Sequence, residues 1–174
     1  MQNVLKGILD APLRRLVLGL QKELEAQGHK ATGRLVESAE LKYAIETSTQ
    51  LVAEIYFEDY WEVVNDGVRA SRIPYRGQRS GGKSKYIEAL IAWAQVVKPG
   101  LTLSEAKSFA FAVANKHKEE GMPTRGSYRF SSNGRRTKFV DVVKKDFEEK
   151  LAELIDFDNL LFAIVERIEN FKQA

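Results

Sequence analysis

The sequence predicts an α+β fold: a small antiparallel β-sheet packed with an N-terminal helix, two central helices and a C-terminal helical region, with long basic loops between them. Three observations carry that expectation. Apolar residues recur at helical spacing near both ends of the chain and again around Ile87–Val97 and Ala106–Ala114. Between these, Leu41, Tyr43 and Ile45 alternate with Lys42, Ala44 and Glu46, the period-two pattern of a half-buried strand. Two segments, 68–85 and 121–138, are rich in Gly, Ser and Arg and contain no acid.

At 174 residues the chain matches a one-domain prior and can bury a sizeable core. It is read as one domain over 1–174: an N-terminal helix over 1–28, an α+β core over 29–130 and helices over 138–174. The first helix rests on Val4, Leu5, Ile8, Leu9, Leu13, Leu16, Val17, Leu20 and Leu24, with Lys22, Glu23 and Glu25 off the apolar stripe. Asp10 stands two residues before Pro12, so the main helix is expected to start there after a looser turn, and Gly28 to end it.

A strand pair follows, Leu41–Ile45 and Leu51–Phe57, around a turn at Thr47-Ser48-Thr49-Gln50. Lys98-Pro99-Gly100 closes the Ile87–Val97 helix. Thr102 and Glu105 have the spacing of a capping box for the next helix, which runs to about Glu120 and stops at Gly121-Met122-Pro123. From Lys138 the chain reads as helical through Phe139, Val142, Val143, Phe147, Leu151, Leu154, Leu160, Leu161, Ile164, Val165 and Ile168, with a break or cap at Asp156 or Asp158.

Charge is segregated. The net charge is +3, but the first loop carries Arg69, Arg72, Arg76, Arg79, Lys83 and Lys85, and the second Arg125, Arg129, Arg135, Arg136 and Lys138. Taking these 11 from the 27 Lys and Arg leaves 16 against 24 acids, a balance of −8 for the body. Such separation suits contact with a polyanion or an acidic partner surface. Tyr75 and Tyr128 lie within the loops, and Arg with Tyr is what interface cores favour. These thirteen residues form the candidate partner-binding set. Tyr56, Phe57, Tyr60, Trp61, Tyr86 and Trp93 are read as mostly core, and Glu58, Asp59 and Glu62 as ion-pair partners for the loop arginines.

Catalytic and cofactor signatures are weak. Gly77-Gln78-Arg79-Ser80-Gly81-Gly82-Lys83-Ser84 spells GxxxxGK[ST], the phosphate-binding loop. That motif needs a buried parallel strand before its glycines, whereas Ser71–Arg76 is polar, basic and broken by Pro74. With no cysteine, no paired histidine spacing and no GxSxG, neither a metal site nor a nucleophile is indicated. His117 reads as exposed surface near a helix end. The expected class is a non-enzyme without cofactor. Asp10, Pro12, Arg14 and Arg15 interrupt any leader-like apolar run, and nothing approaches the ~20 apolar residues that cross a bilayer.

The order of these elements resembles the neck or tail-completion (head-tail connector) proteins of tailed bacteriophages, the HK97-type group. Thr32-Gly33-Arg34-Leu35-Val36-Glu37-Ser38 is similar to that family's TGxLxxS junction, and Tyr60-Trp61-Glu62-Val63-Val64-Asn65-Asp66-Gly67 to its YxxxvexG segment. A long polar loop, a helix carrying Ile91 and Trp93, and a second helix ending at Gly121 follow in the same order. The likeness spans roughly 5–130. The C-terminal helical region and the bulky Tyr60 segment depart from it. The resemblance implies a structural virion protein made in the host cytoplasm. It implies a homo-oligomeric ring of roughly six or twelve copies, contacting portal or adjacent connector proteins, tail proteins and the DNA that passes through. The alternative is a nucleic-acid-binding module using both basic loops on phosphates, although no helix-turn-helix or RNA-recognition signature is present.

Overall fold

The computed structural model describes residues 4–47, 50–77 and 84–155. Helices and a two-stranded antiparallel sheet alternate along it, an α+β architecture.

Helix α1, Val4–Ala26, lays its apolar stripe inward, with Leu20 and Leu24 buried. It starts earlier than expected, and Pro12 lies inside it. Asp10 is not a cap. Its carboxylate accepts the Arg14 Nε–H and the Tyr43 hydroxyl, both at 2.6 Å, and these bonds hold its pKa below the usual carboxylate range. The Lys6 ammonium lies 4.7 Å from the Tyr43 ring centre. These contacts fasten the first turns of α1 to the sheet, which offsets the missing Pro12 donor.

After the short α2, Arg34–Glu37, strands β1, Glu40–Glu46, and β2, Leu51–Tyr56, pair with Leu41 opposite Ile55 and Tyr43 opposite Ala53. The register shifts between Tyr43 and Ile45, bringing Ile45 opposite Val52. The Thr47 N–H to Gln50 carbonyl bond, 2.9 Å, closes the turn. Leu20, Leu24 and Leu35 form the first core with Phe139 and Val143 of α6, Phe139–Leu154. Phe57 stands edge-on to Phe139 at 5.7 Å and 6.1 Å from Trp61. Removing Phe139 fully from water contributes roughly 1.5–3 kcal/mol.

The second core lies between α4, Lys85–Val97, and α5, Leu103–Glu120. Ala106, Ala110 and Ala114 recur every fourth residue and are fully buried, as is Ala94 of α4, so small side chains let the helices approach closely. Thr102 and Glu105 form the capping box: the Thr102 hydroxyl accepts the Glu105 N–H, and Glu105 accepts the Thr102 N–H.

Helix α3, Trp61–Asp66, caps α6 from a distance. Asn65 is buried, its Oδ1 accepts the Val140 N–H at 3.0 Å, and its carbonyl accepts the Lys138 N–H at 2.6 Å. Lys138 therefore sits in the left-handed region, φ 62°, before the first turn of α6. The continuation expected through Leu160 and Ile168, and the break at Asp156 or Asp158, lie outside the described residues.

Candidate interaction surface

The two basic segments leave the body side by side. Val68 and Met122 form an isolated antiparallel bridge, with N–H to carbonyl distances of 2.7 and 2.8 Å. Gly67 and Gly121 flank it at φ 72° and 84°. A Cβ on Gly67 would lie 2.4 Å from the Met122 oxygen, and one on Gly121 2.5 Å from the Val68 oxygen. Both the backbone conformation and the closeness of the crossing require glycine at these two positions.

Beyond the bridge the first segment makes a 3-10 turn, Ala70–Arg72, and drives Ile73 and Tyr75 into the second core. Tyr75 corrects the sequence reading: it is only 5% exposed, 6.4 Å from the Phe111 ring, and is a core residue. Its neighbours Arg69, Arg72 and Arg76 are exposed, as is Lys85 at the start of α4. Arg79 and Lys83 lie outside the described residues. No strand lies directly before Gly77. A 3-10 turn and a short extended anchor do, and the described sheet is antiparallel and belongs to other residues. Among the described residues, the strand that a phosphate-binding loop requires directly before its glycines is not present.

The second segment divides into two halves. Arg125–Phe130 is a 3-10 helix, with Arg125, Tyr128, Arg129 and Phe130 exposed and the Arg129 guanidinium 4.8 Å over the Phe130 ring. The half from Ser131 to Lys138 is bound to the body. Glu23, expected on the solvent side of α1, has a side chain only 13% exposed. Its Oε1 accepts from Gln27 Nε2 at 2.9 Å, Asn133 Nδ2 at 2.9 Å and Arg135 Nε at 3.2 Å.

Arg136 donates Nη1 to the Gln27 carbonyl at 2.6 Å, and Gln27 Nε2 reaches the Thr137 carbonyl at 3.0 Å. His29 Nε2 donates to the Arg136 carbonyl at 3.1 Å. Burial, and then the Arg136 charge, push the His29 pKa down to about 4. Lys138 pairs with Asp66 at 2.7 Å and Asp141 at 3.6 Å. Arg135, Arg136 and Lys138 thus clamp their own chain, whereas Arg69, Arg72, Arg76 and Arg125 form no ion pair among the described residues. The clamp was hidden in the sequence, since Glu23, Gln27 and Asn133 are polar residues whose partners lie far along the chain.

The acids expected to pair with the loop arginines do not. Among the described residues, Glu58, Asp59 and Glu62 form no ion pair, although all three are exposed. Tyr56 and Tyr60 were expected to be mostly core and are 46% and 40% exposed; Val63 is 47% exposed. Trp61, by contrast, packs from the first turn of α3 against the first core.

His117 also departs from the sequence reading. It is half-buried, and its Nδ1 shares a 2.7 Å hydrogen bond with the Tyr86 hydroxyl. Burial lowers its pKa and raises that of Tyr86 to about 12. Among the described residues no His, Asp or Glu group has metal-binding geometry, and no helix is long and apolar enough to cross a membrane. Comparison with known proteins finds no family model, no curated relative and no solved structure that matches the chain.

Proposed function

We propose that this chain is a structural virion protein of a tailed bacteriophage, forming a homo-oligomeric ring in the neck between portal and tail. The order of sequence segments from the Thr32–Ser38 junction to the helix ending at Gly121 is what suggests a neck protein. The observation that carries an assembly role is the state of the arginines. Arg69, Arg72, Arg76 and Arg125 extend from segments rooted together at one bridge, and their guanidinium groups form no ion pair among the described residues. A guanidinium fork can grip a carboxylate with two hydrogen bonds, so exposed arginines on an otherwise acidic body suit contact between protein subunits.

The test is native mass spectrometry with negative-stain imaging of the purified chain. Closed rings of uniform copy number support the proposal; a monomer at every soluble concentration overturns it. The same arginines would serve phosphates in a nucleic-acid-binding module. Sub-micromolar duplex binding by the monomer, falling steeply with salt at a slope of several phosphates, would favour that reading instead.

A further inference from the structure

We propose, resting on the ring reading, that neighbouring copies meet through Arg125–Phe130 of one copy and Glu58–Val63 of the next. The first surface is cationic and aromatic. Phe130 is 63% exposed and Tyr128 42%, beside Arg125 and Arg129. The second is anionic with an apolar centre. Glu58, Asp59 and Glu62 surround the exposed Tyr60 and Val63, and no Lys or Arg lies between Phe57 and Gly67.

Two large aromatics left in water on one surface and a half-exposed Tyr–Val pair on the other are unusual unless each is covered in the assembled state. Tyr, Phe and Arg are the residue types that interface centres concentrate. The charges are complementary, and neither set is neutralised by the other within the chain: no ion pair joins them among the described residues. That leaves both available to a second copy.

Both surfaces are held in place before they meet. In the cationic one, the Ser127 N–H bonds the Thr124 carbonyl at 3.0 Å, the Arg125 N–H bonds Glu120 Oε2 at 2.8 Å, and the Ser131 hydroxyl bonds the Ala26 carbonyl at 3.2 Å. In the anionic one, the Glu58 N–H donates to Ser38 Oγ at 3.0 Å and the Trp61 N–H to the Glu58 carbonyl at 2.9 Å. Little further ordering is needed on docking, which lowers the entropic cost of association. Because the two surfaces differ, the contact is head-to-tail, the kind that either closes a ring or continues as a filament.

The test uses two charge-reversal variants of the full chain, followed by sedimentation velocity and native mass spectrometry. One carries Arg125→Glu with Arg129→Glu, the other Glu58→Lys with Glu62→Lys. All four side chains are exposed, so thermal unfolding is expected to be unchanged. Each variant alone then presents like charges to itself and is expected to stay monomeric. An equimolar mixture restores opposite charges at every junction and is expected to assemble with equal numbers of each. Assembly of either variant alone to the wild-type extent overturns the interface while leaving a ring built through other surfaces. Failure of the mixture to assemble also overturns the interface. Rescue into open filaments, with filaments from the wild type, supports the interface and overturns the ring. A monomeric wild type overturns both; if it binds duplex DNA and Arg125→Glu with Arg129→Glu abolishes that, the arginines belong to phosphate.

Discussion

Val68 and Met122 each donate a backbone N–H to the other's carbonyl, at 2.7 and 2.8 Å, and this single bridge sets the spacing between the two basic segments. It lies where α3 ends and where α5 ends, so it also ties the first core to the second. A disturbance there should be felt by both cores and by both arginine groups.

Gly121→Ala places a Cβ 2.5 Å from the Val68 carbonyl oxygen on a backbone at φ 84°. The left-handed conformation and the clash together are expected to lower unfolding free energy by about 2–3 kcal/mol. Gly126→Ala meets nothing within 4 Å and serves as the control, expected within ~0.5 kcal/mol of wild type. Urea denaturation measures both; equal stability of the two variants would show that the crossing is not tight.

Asn65 does for α6 what an adjacent capping residue does for most helices. Asn65→Ala removes the acceptor for the Val140 N–H and exposes the strained Lys138 to relaxation, at an expected cost of about 2 kcal/mol. Asn65→Asp keeps the acceptor but sets a second carboxylate where Asn65 Nδ2 donates to Asp66 Oδ1 at 2.9 Å, so at neutral pH it is also expected to destabilise. Hydrogen exchange provides the local check: the Val140 amide should lose protection in Asn65→Ala well before the amides of α4 do.

The regular elements were legible in the sequence because their signals are local. The Thr102–Glu105 box and the Ala106–Ala110–Ala114 spacing each fall within a few residues and appear in the structure as expected. The Leu41–Ile45 alternation holds only as far as Tyr43, after which the register shifts and Ile45 is 42% exposed. The start of α1 was misplaced because Asp10 looked like a cap while its partner, Tyr43, lies across the fold. Tyr75 was placed on the surface because its neighbours are arginines; one residue in a polar loop can turn inward as an anchor without any periodic signal. The clamp from Glu23 and Gln27 to Asn133 and Arg136 joins residues about a hundred positions apart, which no spacing rule reaches.

The buried Tyr75 hydroxyl has no hydrogen-bond partner among the described residues. An unsatisfied buried hydroxyl is destabilising, so Tyr75→Phe is expected to be neutral or to raise stability by about 1 kcal/mol. Tyr75→Ala, which empties the contact with Ile73, Ile87 and Ala114, should cost about 3–5 kcal/mol. Thermal melts of both variants decide it. A loss of stability in Tyr75→Phe would show that the hydroxyl is bonded after all.

His29 makes stability depend on pH in a defined direction. Its ring is neutral in the folded chain down to about pH 4, held there by burial and by the Arg136 charge, whereas an unfolded histidine binds a proton near 6.5. Between those values the unfolded state binds more protons, so stability is present above ~6.5 and is lost as pH falls toward 4. The expected loss from His29 is about 2 kcal/mol, allowing for solvent screening of a half-buried ring. His117, lowered by burial, contributes in the same direction, and the lowered carboxylates of Asp10, Asp66 and Glu105 contribute only further into acid. His29→Gln should therefore flatten, without abolishing, the decline in unfolding free energy between pH 6.5 and 4, and His29→Gln with His117→Gln should flatten it further. Urea titrations at a series of pH values provide the measurement. An unchanged pH slope in His29→Gln would show that the ring is already charged in the folded chain.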